Sequence, residues 1–115
     1  MNLEYIGEKM FFEETKDAGH LWVAMGKQQN IYALTIEDGK TSLPVWSSKT
    51  RTSEFLKKVK FGHELTPIEV PLNIFVRAWL VDEKMAIVEL RINPSGETST
   101  LTLSVIEFEQ QLIST

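Results

Sequence analysis

Between residues 31 and 46 the chain reads IYALTIEDGKTSLPVW, two β-branched and aromatic runs separated by Asp38-Gly39. An Asp-Gly pair in that setting marks a two-residue hairpin loop, because both turn positions take positive φ. The hairpin commits the flanking runs, 31–37 and 40–46, to antiparallel pairing, since parallel neighbours need a crossover of a dozen or more residues. Pro44 cannot donate to a ladder and so belongs at an edge or a strand end. The chain has no cysteine, so no disulfide is available to staple the hairpin. A hydrophobic core must hold it, and 115 residues are enough to build one.

The remaining segments supply the partners. Asn2 can cap a first helix to about Asp17 with Leu3, Ile6 and Met10 at helical spacing, and Ala18-Gly19 ends it. HLWVAM (20–25) reads as a strand, and Gly26 to Asn30 as a polar turn. Ser47 or Ser48 can cap a helix through about Lys60 that turns Phe55, Leu56 and Val59 inward. PIEV (67–70) adds a short strand. Pro71 suits the first turn of a helix in which Leu72, Phe75, Val76, Trp79 and Leu80 recur at helical spacing. MAIVELRI (85–92) is the best strand. Asn93-Pro94-Ser95-Gly96 fits a type I turn, with Glu97 to Leu103 returning as partner strand. Ser104 and Glu107 form a capping box for a last helix with Val105, Phe108 and Leu112 inward. The order predicts one α+β domain over residues 1–115. Its sheet is mainly antiparallel or mixed, with about five to six strands and helices packed on it.

The net charge is −4, but residues 49–60 carry Lys49, Arg51, Lys57, Lys58 and Lys60 against Glu54 alone, a local +4. The remainder therefore carries −8, which disfavours general nucleic-acid binding and suits a basic protein partner. No apolar run reaches the length of a membrane span, and the N-terminus lacks the unbroken apolar stretch of a secretory signal. The expected location is cytoplasmic.

Motifs for chemistry are sparse. His20 and His63 have no neighbouring acid at a ligand spacing, so no metal site is expected. DGKTS lacks the earlier glycine of a phosphate loop, Leu34 standing in its place, and no dinucleotide fingerprint or nucleophile elbow occurs. Acid pairs such as Glu13-Glu14 and Asp82-Glu83 fall on solvated helix faces and turns. Neither catalytic residues nor a cofactor are expected.

LWVAM, the Asp-Gly hairpin, LPVWSS (43–48), PIEVPLNIFVRAWL and MAIVELRI, followed by a short final helix, together resemble the family catalogued as domain of unknown function 2750. The resemblance covers roughly residues 18–113. Ser47 stands where that family often has proline, and GKQQN replaces a more acidic turn. A weaker likeness, through the strand end before the helix, is to the enhanced-serine-sensitivity proteins. The resemblance implies a small bacterial cytosolic α+β domain and carries over no catalytic residue.

What remains is a surface. Trp46, Ser47, Ser48, Lys49, Arg51, Lys57 and Lys58 join an interface-prone indole to hydroxyls and cations. They are the candidate partner or ligand surface. The first expectation is a non-catalytic protein-binding module, in one version an immunity-type protein that masks a basic partner, and a homodimer is left open. The alternative is a small molecule or anion held near LPVWSS, where two hydroxyls at a helix start can meet an anion.

Overall fold

Asp38 and Gly39 both take positive φ, 59° and 72°. They turn β2 (Leu34–Thr35) back onto β3 (Thr41–Val45), with Leu34 opposite Ser42 and the Ile36 N–H on the Lys40 carbonyl at 2.8 Å, so the connection is the tight turn Glu37–Gly39 and not the expected two-residue loop. The structure, a computed structural model, describes residues 3–96 and 100–113, with side chains from residue 7 onward. The predicted Asn2 cap, the side chains of Leu3 and Ile6 and the start of the return strand at Glu97 lie outside the described residues. Strand β2 is shorter than the run 31–37 predicts, because Ile31 and Tyr32 fold back on β1 (His20–Gly26) instead. Met25 and Ile31 form a bridge, and the Tyr32 N–H donates to the Ala24 carbonyl at 2.8 Å.

The six strands among the described residues divide into two sheets, β1 with β4 (Leu65–Pro71) and a second in the order β2-β3-β5-β6. Here β5 is Ile87–Ile92 and β6 is Leu101–Ser104. All pairs are antiparallel except β3 with β5, which is parallel. Two helices and β4 lie between those two strands in sequence, which supplies the long crossover that parallel pairing requires. The sheets meet where Trp22 and Trp46 exchange backbone hydrogen bonds of 2.8 and 2.9 Å.

The helices are α1 (Leu3–Ala18), α2 (Lys49–Lys58), α3 (Leu72–Ile74) and α4 (Val105–Ile113). Gly19, at φ 80°, ends α1 by donating to the Thr15 carbonyl, as a left-handed cap does. The helix expected from Pro71 is different. Pro71 closes β4, and α3 runs into a π-turn over Phe75–Trp79, with the Leu80 N–H on the Phe75 carbonyl at 3.0 Å. The wider turn keeps Phe75 buried and leaves Leu72, Trp79 and Leu80 packed against the core. The capping box forms: the Ser104 N–H donates to Glu107 at 2.9 Å and the Glu107 N–H to Ser104 Oγ at 3.1 Å. No described helix is long and apolar enough to cross a membrane.

Alternation gives the four-stranded sheet two faces. Leu43, Val45, Leu90, Ile92 and Leu103 enter the main core with Phe11, Phe12, Phe75 and Phe108. Ser42, Pro44, Glu89, Arg91 and Thr102 share the opposite face. A second cluster, Ala24, Trp46, Phe55 and Leu56, lies under α2.

Strand β4 is an edge of its sheet. Trp22 and Ala24 hydrogen-bond away from β4, so Leu21, Val23 and Met25 bond toward it. Leu65, Pro67, Glu69 and Pro71 therefore direct their backbone groups outward. The Leu65 N–H is already taken by the Gly62 carbonyl, and the two prolines have none. Glu69 alone offers a donor, and the edge is blunted against strand addition.

Candidate interaction surface around α2

The segment LPVWSS ends β3 and starts α2, and most of its side chains turn inward. Trp46 is 0% exposed. Its Nε1–H donates to the Pro94 carbonyl at 2.8 Å, and its ring lies 5.2 Å from that of Phe55. Asn93, in the left-handed region at φ 47°, turns the chain so that this carbonyl meets the indole. The expected turn over 93–96 is thus a tuck beneath Trp46.

Ser47 is buried too. Its N–H donates to Asn93 Oδ1 at 2.9 Å, its hydroxyl donates to Glu14 at 2.5 Å, and Asn93 Nδ2 donates back to Ser47 Oγ at 3.1 Å. Ser48, not Ser47, caps α2: its backbone is extended and its Oγ accepts the Arg51 N–H at 3.1 Å. Arg51 then reaches α1, donating from Nε and Nη2 to the two oxygens of Glu14 at 3.0 and 2.8 Å. The hydrogen bonds from Arg51, with help from Ser47, hold the Glu14 carboxyl below the ordinary glutamate range against a smaller opposing effect of burial. Glu14, Ser47, Ser48, Arg51 and Asn93 make one clasp that ties α1, the start of α2 and the end of β5 together.

These contacts correct the expected surface. The indole of Trp46 has no exposed area to offer, and the hydroxyls of Ser47 and Ser48 are engaged inside the protein. Arg51 faces a carboxylate of the same chain. The physical reason is that Glu14 supplies the negative charge that a cation and two hydroxyls at a helix start attract. Lys49, Lys57 and Lys58 stay on the outside of α2.

Beside them the fold opens a groove of about 380 Å³ between α2 and β4. Leu56, Val59, Leu65 and Pro67 give it apolar walls, and Lys57 and His63 stand at its lining. Gly62 also lines it, packed so closely that a Cβ there would lie 1.7 Å from the Leu56 carbonyl oxygen. Sequence reasoning found Lys57 but missed the rest, because β4 is distant in sequence and its pairing with β1 brings it beside α2. Pro67 and Gly62 were the available signals, a strand-edge residue and a close-approach residue in one short stretch. Among the described residues no group of three or more His, Cys, Asp or Glu is placed to hold a metal ion.

A family model described as protein of unknown function (DUF2750) matches residues 9–112. No curated protein and no solved structure gives a significant match.

Proposed function

The chain belongs to the DUF2750 family, and from that premise we propose that it is a non-catalytic protein-binding module whose contact surface runs along α2. One observation carries this reading: the groove between α2 and β4, with apolar walls and Lys57 at its lining. An apolar recess with a lysine at its lining fits a protein segment that inserts an apolar side chain and sets a carboxylate against Lys57. The blunted edge of β4 supports recognition by side chains, since strand addition has so few backbone donors to use. The proposed setting is the cytoplasm of a bacterium.

A second version, the immunity-type protein that masks a basic partner, is favoured by the −8 carried outside residues 49–60. The two versions oppose each other in charge, so one variant separates them. Lys57→Glu with Lys60→Glu leaves the clasp and both core clusters untouched. Tagged full-length protein is used to isolate a stoichiometric partner, and affinity is then measured with wild type and variant of equal thermal midpoint. An acidic partner bound at least about tenfold more weakly by the variant supports the α2 surface. A basic partner bound equally or more tightly supports masking by the acidic body instead. Equal binding of an acidic partner by both proteins removes α2 from the interface.

A further inference from the structure

Trp46 is sealed inside, but Trp22 is only half-buried. Alternation along β1 puts Trp22 and Ala24 on one face of the two-stranded sheet, where their partners on β4 are Glu69 and Pro67. Ala24 is buried under α2, and Trp22, Val59 and Leu65 pack against the same cluster from its margin. Trp22 therefore shares a face with the groove, and Pro67, which lines the groove, is its diagonal neighbour across the strands. The bridge to Trp46 places Trp22 by the start of α2, whereas Val59 and Leu65 mark the groove at the other end of that helix. Its ring is held edge-on by His20 at 5.7 Å, and His20 in turn reaches Glu69 at 3.5 Å. From the level of Leu65 to that of Glu69 is four strand residues, about 13 Å.

We propose that the groove and Trp22 together seat one amphipathic helix of a partner protein, an inference that rests on the α2 surface proposed above. One apolar side chain of that helix enters against Leu56 and Leu65, and a second, two turns on, packs on the Trp22 ring. Two helical turns advance about 10.5 Å, close to the spacing of the two sites. A helix satisfies its own backbone and binds through side chains, which suits a groove whose strand edge has so few donors to give. A half-exposed tryptophan with a fixed ring is the kind of residue that dominates interface energies. The charge is set at the first site. Among the described residues no carboxylate forms an ion pair with Lys57, whereas His63 already has Glu64 at 3.9 Å. A carboxylate one turn from the first apolar anchor would meet Lys57.

The test titrates three alanine-based helical peptides into the full chain and follows them by NMR. The first carries leucines seven residues apart on one face and a glutamate one turn from the first leucine. The second has lysine for that glutamate, and the third keeps the composition of the first with the leucines on opposite faces. The expected result is saturable binding of the first peptide, with shifts at Leu65 and at the Trp22 indole. The other two peptides, and the variant Trp22→Thr with the first, should each bind about tenfold more weakly or worse. The thermal midpoint establishes that the variant is folded; should it not fold, the Trp22 indole shift in the wild type decides. Binding that shifts Leu65 but not Trp22, or undiminished binding by Trp22→Thr, overturns this inference and leaves the α2 reading standing. Equal binding of the first and third peptides overturns the single helical face. Equal binding of the first and second removes Lys57 and counts against both readings. No saturable binding of the first peptide overturns this inference, and lysine reversal with the isolated partner then decides the α2 reading on its own.

Discussion

Gly62 has no room for a side chain, and the obstruction is backbone. A Cβ would meet the Leu56 carbonyl carbon at 2.6 Å as well as its oxygen at 1.7 Å. Gly62→Ala must therefore separate α2 from the turn that follows it. The expected cost is about 3 kcal/mol, read as a fall in the denaturant midpoint without a matching change in slope. Thr15 presents the opposite case. Its side chain is fully buried in α1, and its Oγ1 has no hydrogen-bond partner. Thr15→Val removes the stranded hydroxyl at nearly constant shape and should raise stability by about 1 kcal/mol, measured by urea unfolding. A lower midpoint would mean that the hydroxyl is satisfied in solution. Trp46→Ala would empty the second core cluster and leave the Pro94 carbonyl unpaired, at a cost of about 3–5 kcal/mol. Loss of binding in that variant would report unfolding, which is why the partner test reverses lysines instead.

Among elements, the clasp makes the docking of α1 against α2 depend on pH. Glu14 titrates in the folded protein below its ordinary value near 4.5, chiefly through the Arg51 hydrogen bonds. As the pH falls, the unfolded chain takes up that proton first. The stability contributed is whole above about pH 4.5 and is lost as the pH drops through the lower folded value. Both side chains are about a third exposed, so solvent reduces what the pair is worth. The wild-type minus Arg51→Met stability difference should therefore be flat from pH 5 to 7, by this linkage, and shrink below that range. A difference that stays constant to pH 3 would remove Glu14 as its source. Glu8 runs the other way: burial, helped by the nearby Glu107, raises its carboxyl, so Glu8 opposes folding once ionised. Legibility varied between elements. The capping box at Ser104 and the end of α1 at Gly19 rest on local hydrogen bonds and were readable. The π-turn after α3 was not, because a 3.6-residue apolar pattern does not reveal where β4 hands over to the helix.

At the scale of the molecule, two sheets share one body because β1 works in both directions, pairing with β4 on one side and touching Trp46 on the other. That arrangement leaves β4 as an outer edge, guarded by Pro67 and Pro71. Pro67→Val restores an outward N–H in the middle of β4. The expected outcome is stronger concentration-dependent self-association in sedimentation velocity than the wild type gives under the same conditions. A monomeric variant would show that Glu69 and strand twist suffice to protect the edge.

By itself the sequence determined what depends on neighbours along the chain: the hairpin at Asp38-Gly39, the helix ends at Gly19, Ser48 and Ser104, most strand positions and the α+β class. It also held the family resemblance, through LPVWSS and the strands around it. Tertiary structure alone decided that β3 and β5 lie parallel, because the hairpin rule says nothing of a strand's other edge. It alone buried Trp46, since the Pro94 carbonyl that receives the indole N–H is 48 residues away. Glu14 reached Arg51 across 37 residues in the same way. Local spacing sets what each segment can become, whereas which polar group finds which partner is settled by packing segments that only the folded chain brings together.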